Sequence, residues 1–330
     1  MTKSELDAQI ESLRQAVEAD RANRPISSPP VQLQIWPEPV RGSPNSFLRS
    51  ALFAAIQSEN RQMLGEPATP HQRAQGISIT TQKGLTIEYA GPQLDQFDLD
   101  VWLQAIHLVR RYPLETRCSF SGSPFLKAIG RAMNRKTSAR EYQDLNQSLD
   151  RLTGGGVVIK SGSVTFTGHL ISWYRRDDQT RAYQISFADD VLKLFRPAAW
   201  TAIQWEERRA LKGQALVLWL HGYYSSHAAP YPVSVQYLHL LCGSRTALMK
   251  NFKTSLKRAF QILKETLAWE ASWNGDVVTV TRPPSASQAR HILTSAATQK
   301  RERQPKRGQG GLVPVTDILP GFLKSMKGRF

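Results

Sequence analysis

The strongest constraint in this sequence is a pattern of punctuation that runs through the chain twice: three helical segments, then a β-hairpin. In the first pass a helix is expected over 97–111, where Phe97, Val101, Ile106 and Val109 fall at helical spacing, and a second over 123–133. A third starts at Thr137 or Ser138, either of which can cap it, and ends at Gly154-Gly155-Gly156. A long hairpin follows, in which Val157–Lys160, Val164–Tyr174 and Arg181–Phe187 alternate in polarity and Arg175-Arg176-Asp177-Asp178-Gln179 makes the turn. The second pass has helices over 204–226, 233–242 and 245–267. Its hairpin joins Trp269–Trp273 to Asp276–Thr281 through Asn274-Gly275, the dipeptide best suited to a two-residue turn twisted like its strands. Upstream, Gly76–Thr81 and Leu85–Tyr89 form another hairpin around Lys83-Gly84.

Three helices and a hairpin, twice over, is the plan of tandem winged-helix domains, a helix-turn-helix variant, so the expected fold class is α+β. The passes share no close sequence repeat, and the duplication is architectural. With 330 residues there is chain enough for two cores. The expected layout is an N-terminal helix and linker over 1–30, a first winged-helix domain over 31–188, a second over 189–282, and a basic, disordered tail over 283–330. Leu6, Ile10, Leu13 and Val17 form the stripe of the N-terminal helix, and Arg24-Pro25-Ile26-Ser27-Ser28-Pro29-Pro30 breaks the chain after it. The segment 283–311 is rich in Pro, Ser, Gln, Arg, Lys and Gly, a composition that cannot bury a core.

The chain carries 43 Lys and Arg against 27 Asp and Glu, a formal charge of +16, which points to an anionic partner. The third helix of each pass is where a DNA reader would sit. In the first, Tyr142, Leu145, Leu149 and Leu152 form an apolar stripe, and the opposite face gathers Lys136, Arg140, Gln143, Gln147 and Arg151, with Asp144 as one acidic intruder. Arg matches the acceptor edge of guanine and Gln the edge of adenine, so such a face can read a major groove. In the second, no acidic residue occurs between Arg245 and Lys264. Leu248, Phe252, Leu256, Ala259 and Leu263 point one way; Lys250, Lys253, Thr254, Lys257, Gln261 and Lys264 point the other. Like charges at this spacing cost helix stability, a repulsion that phosphates would neutralise. Arg175, Arg176 and Arg181 on the first hairpin, and the Trp273-Asn274 tip of the second, are candidate wing contacts. A plain solvated helix is the competing account of each polar face.

Enzymatic readings meet specific obstacles. Gly154-Gly155-Gly156-Val157-Val158-Ile159-Lys160-Ser161 approaches a phosphate-binding loop, but Ile159 replaces the glycine before the lysine and the segment enters a strand. Histidines at 71, 107, 169, 221, 227, 239 and 291 have no metal-ligand spacing, and the paired histidines of a nicking enzyme are absent. Tyr223-Tyr224, which resembles a nicking pair, therefore reads as core. No metal or cofactor is implied, and no enzyme activity is expected. No run approaches the roughly 18 apolar residues of a membrane span. The polar start, Met1-Thr2-Lys3-Ser4-Glu5, is no secretion signal. Cys118 and Cys242 lie outside any CxxC pattern, as in buried thiols of a cytoplasmic protein.

One stretch carries a family resemblance: Phe187-Ala188-Asp189-Asp190-Val191, Leu194-Phe195, Ile203-Gln204-Trp205-Glu206, Tyr223-Tyr224-Ser225-Ser226-His227, Pro230-Tyr231-Pro232 and Leu241-Cys242-Gly243-Ser244. A second comprises Trp36-Pro37-Glu38, Pro44-Asn45 and Arg49-Ser50-Ala51-Leu52-Phe53, with weaker matches at Thr86–Tyr89 and Leu149-Asp150-Arg151-Leu152. Over residues 31–282 the chain resembles the TrfA-type plasmid replication initiators. The resemblance implies binding of origin repeats (iterons) in duplex DNA and local duplex opening. It further implies recruitment of host DnaA, the DnaB helicase and the DNA polymerase sliding clamp, with active monomers and dimers that restrain copy number. That family carries a clamp-binding Gln-Leu-x-Leu-Phe shortly before its Trp-Pro-Asp. Here Gln32-Leu33-Gln34-Ile35-Trp36 keeps the order but overlaps the Trp-Pro itself. Gln32, Leu33, Ile35 and Trp36 are thus either a clamp ligand or the structural start of the domain. The tail beyond 283 has no counterpart in the family. A winged-helix transcriptional repressor, an obligate two-fold dimer on inverted half-sites, is the alternative that would use the same residues.

Overall fold

A computed structural model describes residues 33, 36–66, 76–112, 117–211, 213–285 and 288–289. The expected N-terminal helix and linker over 1–30 and nearly all of the basic tail lie outside them. In chain order the elements are strand β1 (Val40–Pro44), helix α1 (Asn45–Leu48), strands β2 (Phe53–Ala54), β3 (Met63–Leu64), β4 (Ile77–Ile79), β5 (Leu85–Pro92) and β6 (Leu94–Asp95), and helix α2 (Gln96–Val109). Then come β7 (Cys118–Ser121), α3 (Gly122–Ala128), α4 (Ala139–Gly154), β8 (Gly156–Ser161), β9 (Val164–His169), β10 (Trp173–Asp177) and β11 (Ala182–Ser186). Strand β12 (Trp200–Gln204) leads to α5 (Trp205–Ala210), α6 (Ala215–Ser225), β13 (Val233–Ser234), α7 (Val235–Leu241), α8 (Met249–Leu267), β14 (Glu270–Asn274) and β15 (Val277–Thr281). The described residues up to Pro283 form one compact unit, which is therefore a mixed α/β structure.

Helix α2 is the axis of the first module. Asp95 caps it, accepting from the backbone N–H of Phe97 and Asp98 while the Asp98 carboxylate accepts from the Asp95 N–H, a reciprocal capping box. Almost every side chain of α2 is buried, as befits a helix enclosed on all sides. Trp102 sits at the centre: its indole N–H donates to the Leu170 carbonyl at 2.9 Å and its ring meets Phe47 edge-on at 4.8 Å and stacks on Phe195 at 6.2 Å. One sheet runs β3–β5–β8–β9 with β4 also on β5, and another β10–β11–β7.

The long hairpin expected over 157–187 is thus two hairpins in two sheets. A bend at Leu170–Ser172 turns the chain after β9, and Ile171 and Leu170 enter the core there. Arg175 and Arg176 consequently lie on strand β10, not in its turn. The helix expected over 204–226 is also two, because Gly213, at φ +75°, breaks it between α5 and α6. The first core reaches beyond the expected boundary at 188 to Val191, Leu194, Phe195, Ile203 and Trp205, since β12 pairs along β1; the second core begins at Leu211. Each module runs helix, short strand and two helices, followed by two hairpins in the first (β8–β9, then β10–β11) and by one in the second (β14–β15). In each, the short strand pairs with the second strand of the last hairpin, β7 with β11 and β13 with β15.

Two carboxylates of α2, held by three arginines, lock these parts. Arg151 of α4 and Arg61 both pair with Asp98 of α2, at 2.7 and 2.9 Å, and the Asp98 side chain has no solvent exposure. Ser148 donates a further hydrogen bond to the same carboxylate at 2.7 Å. Arg208 of α5 pairs with Asp100 at 2.5 Å and donates to Gln96 Oε1 and to the Leu218 carbonyl of α6, each at 3.0 Å. Removing one partner of a buried pair strands the others in a low-dielectric site. Asp98→Ala should therefore destabilise the fold by about 3–5 kcal/mol in urea unfolding at neutral pH. A loss below about 1 kcal/mol would show that the carboxylate is not the anchor of α4.

Candidate nucleic-acid interface

The first candidate reader is α4. Ser138, one of the two expected caps, supplies the N-cap and forms a capping box with Glu141, whose carboxylate Arg135 also holds at 2.9 Å. Those bonds keep the Glu141 carboxyl down at about 2 and occupy the one acid of the first turn. Leu145, Leu149 and Leu152 are fully buried and Tyr142 half-buried, as the stripe required. On the outer side Lys136, Arg140, Gln143 and Gln147 are exposed, and among the described residues their side chains make no hydrogen bond or ion pair. Arg140, Asp144 and Gln147 line a cleft of about 920 Å³, whose other walls include Arg131, Arg208 and Arg209. Arg151 does not belong to this free face. Its guanidinium is turned inward onto Asp98, and the sequence could not show this because the acid lies on another helix.

Of the first hairpin's arginines, Arg175 is exposed and has no partner among the described residues, whereas Arg176 pairs with Asp178 at 3.2 Å and reaches the Tyr174 hydroxyl. Arg181 lies over the Tyr142 ring at 4.9 Å and joins the hairpin to α4.

In the second module Phe252, Leu256, Ala259, Phe260 and Leu263 seat α8 on its core. The outward line runs through Lys250, Thr254, Arg258 and Gln261, all exposed. Arg258 was absent from the sequence-derived face, although it stands four residues after Thr254 and three before Gln261. Three lysines of that face lean toward the hairpin instead. Lys253 donates to the Gly275 carbonyl at 3.0 Å and pairs with Asp276 at 2.5 Å. Lys257 lies 5.6 Å over the Trp273 ring, and Lys264 pairs with Glu270 at 3.1 Å. Trp273 is correspondingly packed on Phe260 and is not a free wing tip. Leu248, expected in the buried stripe, is 64% exposed because the helix starts at Met249, four residues later than expected.

The family model described as TrfA protein matches residues 6–282, most of the chain. The chain belongs to the TrfA family. The plasmid replication initiator protein TrfA of Escherichia coli is 27% identical over 254 residues, which cover 74% of this chain and 62% of that protein. The chain thus spans a little under two thirds of the length of the curated relative it matches. Among solved structures, domains 2 and 3 of RctB align with a TM-score of 0.44 at 12% identity, over 66% of this chain and 95% of theirs. The Pi initiator protein, in a structure with iteron DNA, aligns with a TM-score of 0.43 at 9% identity, over 56% of this chain and 92% of its own. Among the described residues no helix is long and apolar enough to cross a membrane.

In this TrfA-family chain the patch before β1 is built into the core. Leu33 and Trp36 are each 3% exposed; Gln32 and Ile35 lie outside the described residues. Trp36 stacks on Phe195 at 5.6 Å, and a side chain at Gly42 would meet its ring at 2.8 Å. Its indole N–H donates to His107 Nδ1 at 3.0 Å. An indole can only donate, so Nδ1 must accept, and the proton on His107 sits on Nε2, which donates to Glu38 at 3.0 Å. Burial, with the Arg41 and Arg110 charges, holds His107 down at about 4 against the opposing pull of Glu38, and the bonds from His107 and Arg110 hold Glu38 at about 2. Trp36→Ala should therefore cost about 3–5 kcal/mol of stability, the outcome for a core ring and not for a detachable linear motif. His107 titrates lower in the folded than the unfolded chain, so its contribution is present above about pH 6.5 and lost as pH falls toward 4. His107→Gln should flatten the fall of urea midpoint between pH 7 and 5; an unchanged slope would contradict the neutral-ring arrangement.

Proposed function

We propose that this chain is a plasmid replication initiator: a non-enzymatic protein that binds direct repeats in origin duplex DNA through tandem winged-helix domains, with α4 and α8 as major-groove helices. The observation that carries the reading is the pair of like modules, each with an exposed cationic or polar third helix braced against its own hairpin. Membership of the TrfA family supports it, as does the initiator description of the Escherichia coli relative. In this reading Arg140, Gln143 and Gln147 contact bases, since they are exposed and uncommitted and can form paired hydrogen bonds with guanine and adenine edges. Lys250 and Arg258, with Lys136 and Arg175, meet phosphates. Lys253, Lys257 and Lys264 act chiefly by setting the second hairpin against α8, where they add positive potential. Duplex opening, contacts with DnaA, DnaB helicase or the sliding clamp, and a balance of monomers and dimers extend the same reading to the host machinery. Leu33 and Trp36 would not serve the clamp contact without leaving the core.

Replacing Lys250 and Arg258 together by Ala should weaken binding to every duplex and reduce the slope of log affinity against log salt by roughly one unit per lost phosphate contact. Melting temperature should stay within a degree or so, because both side chains are exposed and have no partner among the described residues. An unchanged salt slope would remove the outward face of α8 from the interface. Tight binding confined to inverted half-sites, with none to direct repeats, would favour a repressor.

A further inference from the structure

The start of α8 is poorly made for a helix that only has to be stable. Leu248 is its N-cap, with extended backbone and no side-chain hydrogen bond to the first turn. Leucine is among the poorest residues at that position, where Ser, Thr, Asp or Asn would satisfy an amide. The same side chain is 64% exposed, the largest exposure among the bulky apolar residues described, and the adjoining Met249 is 40% exposed. Two local costs coincide at one residue. Around this apolar pair every charged residue of the chain is cationic: from Arg245 through Lys264 there is no acid, and Lys250 follows directly in the first helical turn. Arg245 itself is bound back to Gln93 Oε1 at 2.8 Å and to the Asn60 carbonyl at 3.2 Å, which fixes the approach to the helix.

A surface that is at once apolar and cationic calls for a partner that is at once apolar and anionic. Duplex DNA is such a partner, because each thymine presents its C5-methyl group in the major groove between two phosphate backbones. The groove admits a helix, and helix-turn-helix readers place the N-terminal residues of the recognition helix against base edges. We infer that Leu248, assisted by Met249, is a specificity-determining contact that reads the methyl groups of thymines at one position of the recognition site. This rests on the reading of α8 as a DNA reader and adds what it selects. An acidic cap would have stabilised the helix at the expense of repulsion from phosphates; a serine would have offered hydroxyl chemistry in place of a methyl contact. Leu248 does neither, and its exposure leaves the side chain free to be covered by the bases.

The methyl group can be removed without changing any hydrogen bond, by replacing thymine with uracil. Duplexes enriched from a random-sequence pool by the full-length protein serve as the probe, resynthesised with single dT-to-dU changes. For the unsubstituted protein, one or two neighbouring changes should weaken binding about fourfold each, the effect of losing one buried methyl, and the rest should be silent. Leu248→Ala should bind the dT and dU duplexes alike, near the dU affinity of the unsubstituted protein, with an unchanged melting curve. The inference is overturned if no dT-to-dU change alters binding, or if Leu248→Ala keeps the full discrimination. It is equally overturned if Leu248→Ala abolishes binding to phosphatidylglycerol vesicles while the discrimination persists, which would make the pair a lipid contact. A pool that enriches no sequence would instead remove the DNA reading itself, so the two failures are distinct.

Discussion

The first two turns of α2 carry the carboxylates on which both modules are hung. Asp98 is wholly buried, and its charge is balanced by Arg61 and by Arg151, which reaches in from α4. Two residues along, Asp100 takes Arg208, a side chain only 1% exposed that also binds Gln96 of α2 and the Leu218 carbonyl of α6. Buried charges of this kind are costly unless every partner is present, so they fix geometry more than they add stability. Asp98 sets the seat of the first candidate reader. Asp100 sets the seat of the segment that introduces the second module. Neutral contacts extend the join: Trp219 donates to the Ser50 carbonyl at 3.1 Å, and the Ala55 amide donates to the Cys242 carbonyl at 2.7 Å, just before the turn at Gly243. At that turn, φ is +64° and a side chain would stand 2.9 Å from Ala54, so both conformation and space require glycine.

This division of labour sorts the cations. A net charge of +16 gives no hint of which guanidinium or ammonium groups are structural. In the fold, Arg61, Arg110, Arg151 and Arg208 are internal ties, and Lys253, Lys257 and Lys264 brace a hairpin. On the outer faces of α4 and α8, Lys136, Arg140, Lys250 and Arg258, with Arg175 on β10, are exposed and have no such partner among the described residues. A cation already paired within the protein gains little from a phosphate.

The sequence made the order of elements legible wherever local chemistry decided it. Thr137 and Ser138 marked the start of α4 to within a residue, and Asn274-Gly275 marked the second hairpin within a residue. It failed where distant residues decided. Periodicity ran straight through Gly213 and Leu170–Ser172, since a helical or alternating pattern continues across a break that only tertiary packing reveals. Arg151 has the spacing of the outer face, yet an acid on α2 draws it in. Leu248 has the spacing of the inner face, yet the helix starts too late to carry it there. Trp36 read equally well as a peptide-like anchor or as core until His107, 71 residues away, was found as the acceptor of its N–H.

In the proposed function, one frame holds the two candidate readers, α4 and α8, against one duplex. Cys118 and Cys242 are both free and buried, so a cleavage reagent can be tethered selectively at Gln143→Cys or at Arg258→Cys. On a duplex bearing a bound site, the account predicts that each position cuts at one place in the major groove, with a fixed separation between the two. That separation should broaden when Arg208→Ala loosens the frame. Cutting from only one of the positions, or cuts whose separation varies from molecule to molecule in the intact protein, would contradict it.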